Sequence, residues 1–422
     1  MGGREHNPIR VGMIAMSDLD DPNPISGMPY RMAASLRAQG IEIVPIPAQK
    51  HAQTDRPILR RAVDRVMWIH KRRTPMWIKR TIDTLLPFIP RSATLRRARS
   101  LSACAQARLD QALAHGTRID ALFGCCISSA LYNLTTDLPV VYFSDATSPV
   151  LQTTYPVLAQ RGQAYRDALR EVEQHSLEHV SVAVFAAPST QQSAIHDFGL
   201  PRDRTRVVAM GAHVYPTDPH SIAAPADPPT RDTCSLLIVA ADPVRKRVDL
   251  ATEATEILRG RGINARLHVV GPGTARSQAS DAVDSIGPLR LSNPEDRVRH
   301  QKLLAACHLQ LLPSLGEAFG IAPAESAHFA RPSLVADAGG LPFVVLDGDT
   351  GVVLPVDAEA GMWADAIERL VDDPDRYRAM SSRALERAHG ELNWDAWGRS
   401  LRAIIEEAME NPPLEPHRNG SA

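Results

Sequence analysis

The chain has 422 residues, 44% hydrophobic and 23% charged, with a formal net charge of −1 at pH 7. These proportions fit a folded globular protein with core enough for two or three domains, and they exclude a disordered, collagen-like or disulfide-stapled chain. The charge is unevenly spread: residues 1–215 carry 26 Lys/Arg against 18 Asp/Glu, and residues 216–422 carry 21 against 30. Two halves of opposite sign fit two domains, the first facing something anionic or membranous, with no nucleic-acid partner expected.

The five cysteines are scattered and odd in number, and none forms a CxxC pair. That pattern points to reduced thiols in the cytoplasm and away from a zinc site. The N-terminal MGGREHNPIR lacks the apolar run of a signal peptide, and no stretch approaches 18 apolar residues.

Residues 9–16 form an apolar run, followed by a Ser/Asp/Pro/Gly-rich loop over 17–27. A helical pattern over 30–39 ends at Gly40, and 41–46 reads as a strand. This opens a Rossmann-like half. Asp18-Leu19-Asp20 and Asp347-Gly348-Asp349 each spell DxD, but both lie in loops of a sheet pattern and read as turns rather than metal ligands. Residues 50–99 hold 14 Lys/Arg against three acidic residues, with Trp68 and Trp77 among them. That composition fits either an amphipathic helix on an anionic membrane or a helical pair with a solvated basic face. Strands are expected at 120–123 and 140–143. The second runs into Ser144-Asp145-Ala146-Thr147, where Ser144 or Asp145 would suit a helix N-cap. A long helix over 158–179, a strand over 183–186, a helix over 189–198 and a strand over 207–210 lead to Gly211-Ala212-His213, with His213 at the surface. Residues 215–231 are rich in Pro, Ala and Asp and have linker composition.

The second half opens with a strand at 235–240, a turn carrying Arg245-Lys246, and a helix over 248–259. Strands at 266–270 and 284–291 and a helix over 294–307 follow. Two cations at a helix start oppose the helix dipole unless an anion sits with them. The stretch 309–355 then alternates strands (309–312, 333–335, 351–354) with a helix and glycine turns, a βαβ pattern of a parallel sheet. Gly316, Gly320 and Pro323 break any single helix through Glu317 and Glu325. Glu317 therefore belongs in the loop after a strand, and Glu325 about one turn into the next helix. Ionised carboxylates accept hydrogen bonds from neighbouring hydroxyls such as those of sugar or ribose. Ala338-Gly339-Gly340 offers backbone N–H groups suited to phosphate. Helices over 358–371, 375–389 and 394–409 and a polar tail complete the chain.

The run from Glu317 to Gly351, with Phe319, Gly320, Glu325, Ser326, Ala327, Pro332, Gly339 and Gly340 in register, resembles glycosyltransferase family 4. The resemblance extends over about residues 10–410. The departures are Ala330 and Arg247, each where the family usually has Gly, and Ala240-Ala241, where it has Gly-Arg. Similarity to that family implies an α/β, GT-B fold: two Rossmann-like parallel-sheet domains facing a central cleft. The implied division is 1–214, linker 215–232, donor domain 233–392, a crossing helix 393–410 and a disordered tail 411–422. It further implies retaining transfer of a sugar from a nucleotide-diphosphate sugar, a UDP-sugar foremost, to a sugar, lipid-linked or small-molecule acceptor, with no metal or other cofactor. By the same resemblance Asp145, Arg245, Lys246 and Glu317 are catalytic. Gly27, Gly211, Arg245, Lys246, Glu317, Phe319, Gly320, Glu325, Gly339 and Gly340 bind the donor, with Glu317 on the sugar hydroxyls and Glu325 on the ribose. An epimerase or phosphorylase on the same fold, or an inactive nucleotide-sugar-binding protein, is the alternative. A cytoplasmic location, peripheral to the membrane through residues 50–100, is the accompanying expectation.

Overall fold

The computed structural model describes residues 7–16, 18–21, 27–49, 91–214 and 227–410. Most of the basic segment therefore lies outside the described residues, together with Trp68, Trp77, most of the linker and the tail. The end of the basic segment begins the helix Arg91–Ala114.

Twelve described strands make two six-stranded sheets. The first holds β1 (Arg10–Ala15), β2 (Glu42–Pro47), β3 (Ala121–Cys125), β4 (Val140–Ser144), β5 (Val182–Phe185) and β6 (Thr205–Val207), in the order β2-β1-β3-β4-β5-β6. The second holds β7 (Cys234–Val239), β8 (Ala265–Val270), β9 (Val283–Gly287), β10 (Leu309–Leu312), β11 (Ser333–Ala336) and β12 (Gly351–Leu354), in the order β12-β11-β10-β7-β8-β9. Pairing is parallel at β1–β3, β3–β4, β7–β8 and β7–β10. Helices cover both faces of such sheets, so the strands are apolar on both sides. In β3 and β4 every residue is buried.

Strand order decides where a ligand can enter. In the second sheet the chain runs outward from β7 through β8 to β9, and on the other side from β10 through β11 to β12. Crossovers leaving β7 and β10 diverge and open a crevice outside their carboxyl ends. The loops after β7 and β10 carry Arg245-Lys246 and Glu317.

The chain divides into two compact units, Met1–Val184 with Ser193–Arg206 and Arg402–Ala422, and Phe185–Gln192 with Val207–Leu401. The sequence expectation placed the division at a linker over 215–232. The last helix, Trp394–Glu410, belongs to both units: Trp394 Nε1 donates to the Ala212 carbonyl at 3.0 Å, while Arg402 donates to the Gln39 carbonyl and Arg206 pairs with Glu407. The core of the second unit is built on Trp363, Tyr377 and Trp397, all fully buried.

Three expected elements differ. The strand expected at 207–210 is Thr205–Val207, and Val208–Met210 are buried without joining the ladder. The strand expected at 284–291 ends at Gly287, whose φ of 83° turns the chain away; Leu289 and Leu291 pack on the core from a loop. Neither Ser144 nor Asp145 caps a helix. Thr147 does, accepting from the Val150 amide at 3.4 Å at the start of Ser148–Thr154.

Candidate active site

The turn after β7 is set by Asp242. Its carboxylate accepts from the amides of Val244 and Arg245 at 3.2 and 3.1 Å, and its carbonyl accepts from Lys246 N at 3.0 Å. Leu315 N donates to the Arg245 carbonyl at 2.9 Å, tying this turn to the loop after β10. The two loops bring three of the predicted residues together. Glu317 Oε1 lies 2.8 Å from Arg245 Nη1, 3.6 Å from Lys246 Nζ and 3.0 Å from Ser314 Oγ. Arg245 and Glu317 are each only 8% exposed, so these are not solvated surface charges. The anion that the paired cations require at a helix start is therefore the protein's own carboxylate. Lys246 Nζ also donates to the Val239 carbonyl at 3.0 Å.

Gly339 and Gly340 pack directly against this loop. A Cβ on Gly339 would lie 1.7 Å from the Glu317 carbonyl oxygen, and one on Gly340 would lie 2.5 Å from that of Ala318. Close approach of two backbones, with φ of 57° at Gly339, is what requires glycine there. Two of the three amides offered by the sequence for phosphate already have backbone partners: Gly340 N donates to the Glu317 carbonyl at 3.3 Å and Ala338 N to the Ala336 carbonyl at 2.8 Å.

Glu317 lies in the loop and Glu325 in the helix Ile321–Ala327, with Pro323 in the first turn and Gly320 at the N-cap with φ of 100°. Phe319 is buried. Glu325 is 3% exposed, and its Oε2 lies 3.7 Å from Nε2 of His300 on the helix Pro294–Ala306. Burial pulls His300 down to about 4, which keeps the imidazole neutral near pH 7.

Two family departures share one backbone conformation. Arg247 has φ of 51° and Ala330 has φ of 55°, the left-handed region that favours glycine. Arg247 is held there by its guanidinium, which donates to the Val356 carbonyl at 2.6 Å. Ala330 follows the helix Ile321–Ala327, its amide donating to the Ala327 carbonyl at 3.0 Å.

Residues 229–387 match the family model described as glycosyl transferases group 1. These residues form a glycosyl transferases group 1 domain. The match contains every residue of the cluster above. A curated relative, D-inositol 3-phosphate glycosyltransferase of Nocardia farcinica, is 27% identical over 278 residues, 61% of this chain and 60% of that protein. The alignment thus spans less than two thirds of the relative. Sucrose-phosphate synthase of Thermosynechococcus elongatus has a TM-score of 0.64 at 18% identity, covering 95% of this chain and 99% of that one. An Anabaena protein solved with UDP and glucose, HepE, has a TM-score of 0.55 at 14% identity, covering 94% and 100%. At such identities the likeness shows the fold, and the fold is GT-B.

The remaining predicted residues fall outside residues 229–387. Gly27 precedes the helix Met28–Ala38 after β1, with φ of 79°. Asp145 follows β4 and is held above the usual carboxylate range by burial. Gly211 is in the second unit but packs against Trp394, whose backbone N would be 2.4 Å from an added Cβ. His213 is buried, correcting the expectation of a surface side chain, and stacks on Trp394 with ring centroids 5.9 Å apart. Both DxD triplets are turns. Asp18 accepts from the Asp20 amide at 3.1 Å, and Asp347 accepts from the Val353 amide at 2.9 Å. Among the described residues no group of three or more His, Cys, Asp or Glu is placed to hold a metal, and no helix is long and apolar enough to cross a membrane.

Sequence reasoning missed Ser314, His300 and Glu173. Glu173 had a legible signal, since Leu169, Val172, Ser176 and Leu177 fall at helical spacing around it and place it on the inward stripe of the helix Gln163–Glu178. His300 and Leu304 share a face in the same way.

Proposed function

We propose that this chain is a retaining glycosyltransferase. In this reading it moves a sugar from a nucleotide-diphosphate sugar, a UDP-sugar foremost, to an acceptor hydroxyl without a metal. The observation that carries the reading is the buried Arg245–Lys246–Glu317 cluster at the reversal of strand order in the second sheet. Breaking the bond to the sugar leaves negative charge on the departing diphosphate. Preorganised cations in a water-poor site are suited to receive it. Arg245 can fork onto two phosphate oxygens and Lys246 supplies a point charge. Glu317 holds both cations before the donor arrives and then accepts from the sugar hydroxyls. Glu325 accepts from the ribose. The bound UDP and glucose named for the Anabaena protein motivate the choice of base.

The inositol phosphate in the name of the Nocardia relative is not carried over as the acceptor.

Incubating the protein with UDP-, GDP- and ADP-glucose and measuring nucleotide release tests the reading. Lys246→Ala should lower turnover by about 10²–10³-fold with the fold retained. Wild-type turnover in that variant would remove the lysine from the mechanism. Donor binding with no release under any acceptor would favour a binding protein.

A further inference from the structure

Asp145 stands in the bend between β4 and the helix Ser148–Thr154, and with Glu173 it lines a cavity of about 430 Å³. A bend has no hydrogen-bond ladder of its own, so its position depends on side chains from elsewhere. Ser144 Oγ donates to the Ala146 carbonyl at 2.8 Å and closes the bend from the strand side. Glu173, on the helix Gln163–Glu178 and only 4% exposed, accepts from the Ser148 amide at 2.5 Å, with the Ser148 hydroxyl as a second partner. That amide is one of the first-turn donors that a helix leaves without an internal acceptor, and a carboxylate suits it.

A second helix holds the same corner. Thr147, which caps the helix Ser148–Thr154, is fully buried, and its Oγ1 lies 2.6 Å from Ser193 Oγ on the helix Pro188–Phe198. Ser193 gives its one proton to Asp197 Oδ2 at 2.7 Å, so Thr147 is the donor to Ser193. Arg170, one turn before Glu173, donates to the Asp197 carbonyl at 2.9 Å and ties the two helices together. All of these residues belong to the first unit.

We propose that Glu173 and Ser193 are positioning residues for the transfer: they fix Ser148 and Thr147 from two helices and so hold Asp145 in place for the reacting sugar. The inference rests on the transfer reading, in which Asp145 is catalytic and Arg245 and Lys246 hold the donor. Loosening the clamp moves Asp145 and leaves the donor cations alone, so the loss falls on kcat and not on KM.

The test measures turnover of a UDP-sugar at about pH 6 and, with no donor present, hydrogen exchange over residues 145–150. Burial raises the Glu173 carboxyl to about 7, so in that assay it carries its proton and Gln is nearly isosteric with it. Glu173→Ala should lower kcat by about 10²-fold and Ser193→Ala by about threefold to tenfold, with KM for the UDP-sugar unmoved. Glu173→Gln, which keeps an oxygen for the Ser148 amide, should recover most of the loss. In an Asp145→Ala background neither alanine substitution should cost anything more, because both act through that carboxylate. Exchange over 145–150 should quicken in both alanine variants and match the wild type in Glu173→Gln. Ser193→Ala removes a single half-buried hydroxyl, so it carries the test even where Glu173→Ala does not fold. Losses that multiply with that of Asp145→Ala, an unchanged kcat in Ser193→Ala, or unchanged exchange would each overturn the proposal. Full turnover in Asp145→Ala would also end it, and would leave the transfer reading on Arg245 and Lys246. A wild type that releases nucleotide from no donor would end the transfer reading, and the exchange result would then decide the clamp by itself.

Discussion

Glu317 holds two cations at once. Its Oε1 is 2.8 Å from Arg245 and 3.6 Å from Lys246, at a site with almost no solvent. Removing one partner of a buried ion pair leaves the other uncompensated, at a cost of about 3–5 kcal/mol. Glu317→Gln should therefore lower stability by roughly 3 kcal/mol. Inorganic pyrophosphate should restore more of that loss than it adds to the wild type, because it binds the same cations. Denaturant unfolding with and without pyrophosphate measures this. Equal stabilisation of both proteins would take the phosphate role from Arg245 and Lys246. The spacing of Glu317 and Glu325 was legible in the sequence because glycine and proline mark the break between loop and helix. Ser314, which donates to Glu317 at 3.0 Å, was not, since a serine three residues away in a loop has no periodic signature.

At the scale of elements, the Gly339-Gly340 turn and the loop after β10 are one packed object. Gly339→Ala combines a left-handed φ of 57° with a Cβ 1.7 Å from the Glu317 carbonyl oxygen. The left-handed conformation alone costs an L-residue about 1–2 kcal/mol, and the clash forces the Glu317 loop to shift. The variant should lose at least about 2 kcal/mol of stability and most of its donor affinity. Melting curves and titration with UDP check both, and an unchanged UDP affinity would show that the Glu317 loop does not depend on this turn. The glycine pair was read from sequence as an anion ligand; the structure shows that close backbone approach already requires it. Arg247 and Ala330 carry the complementary lesson. A sequence departure from glycine need not change the backbone, because neighbouring hydrogen bonds hold φ at 51° and 55°.

For the whole molecule, pH acts on the two units in opposite senses. Glu173, in the first unit, keeps its proton in the folded state up to about 7, while the unfolded chain loses it near 4.5. Folded protein then binds the extra proton between those values, so stability falls as pH rises through that window, by on the order of 3 kcal/mol. His300, in the second unit, stays neutral in the folded state down to about 4, while the unfolded chain takes a proton near 6.5. Stability there falls as pH drops from 6.5 toward 4, by a similar amount. Hydrogen exchange resolved by unit should show the first unit loosening toward pH 8 and the second toward pH 4.5. Glu173→Gln should flatten the alkaline arm and His300→Gln the acidic one. An alkaline arm unchanged in Glu173→Gln would show that burial of this carboxyl is not its cause.

The sequence by itself determined the two parallel sheets, nearly every strand and helix in them, and the pairing of a cationic turn with an acidic loop. Hydrophobic period and turn residues act over a few positions and are written along the chain. Tertiary structure alone decided that Glu317 neutralises Arg245 and Lys246, that His300 backs Glu325, and that Asp145 and Glu173 share a cavity. Those contacts join residues 25 to 72 positions apart, and only strand order and helix packing bring such distant side chains to one point.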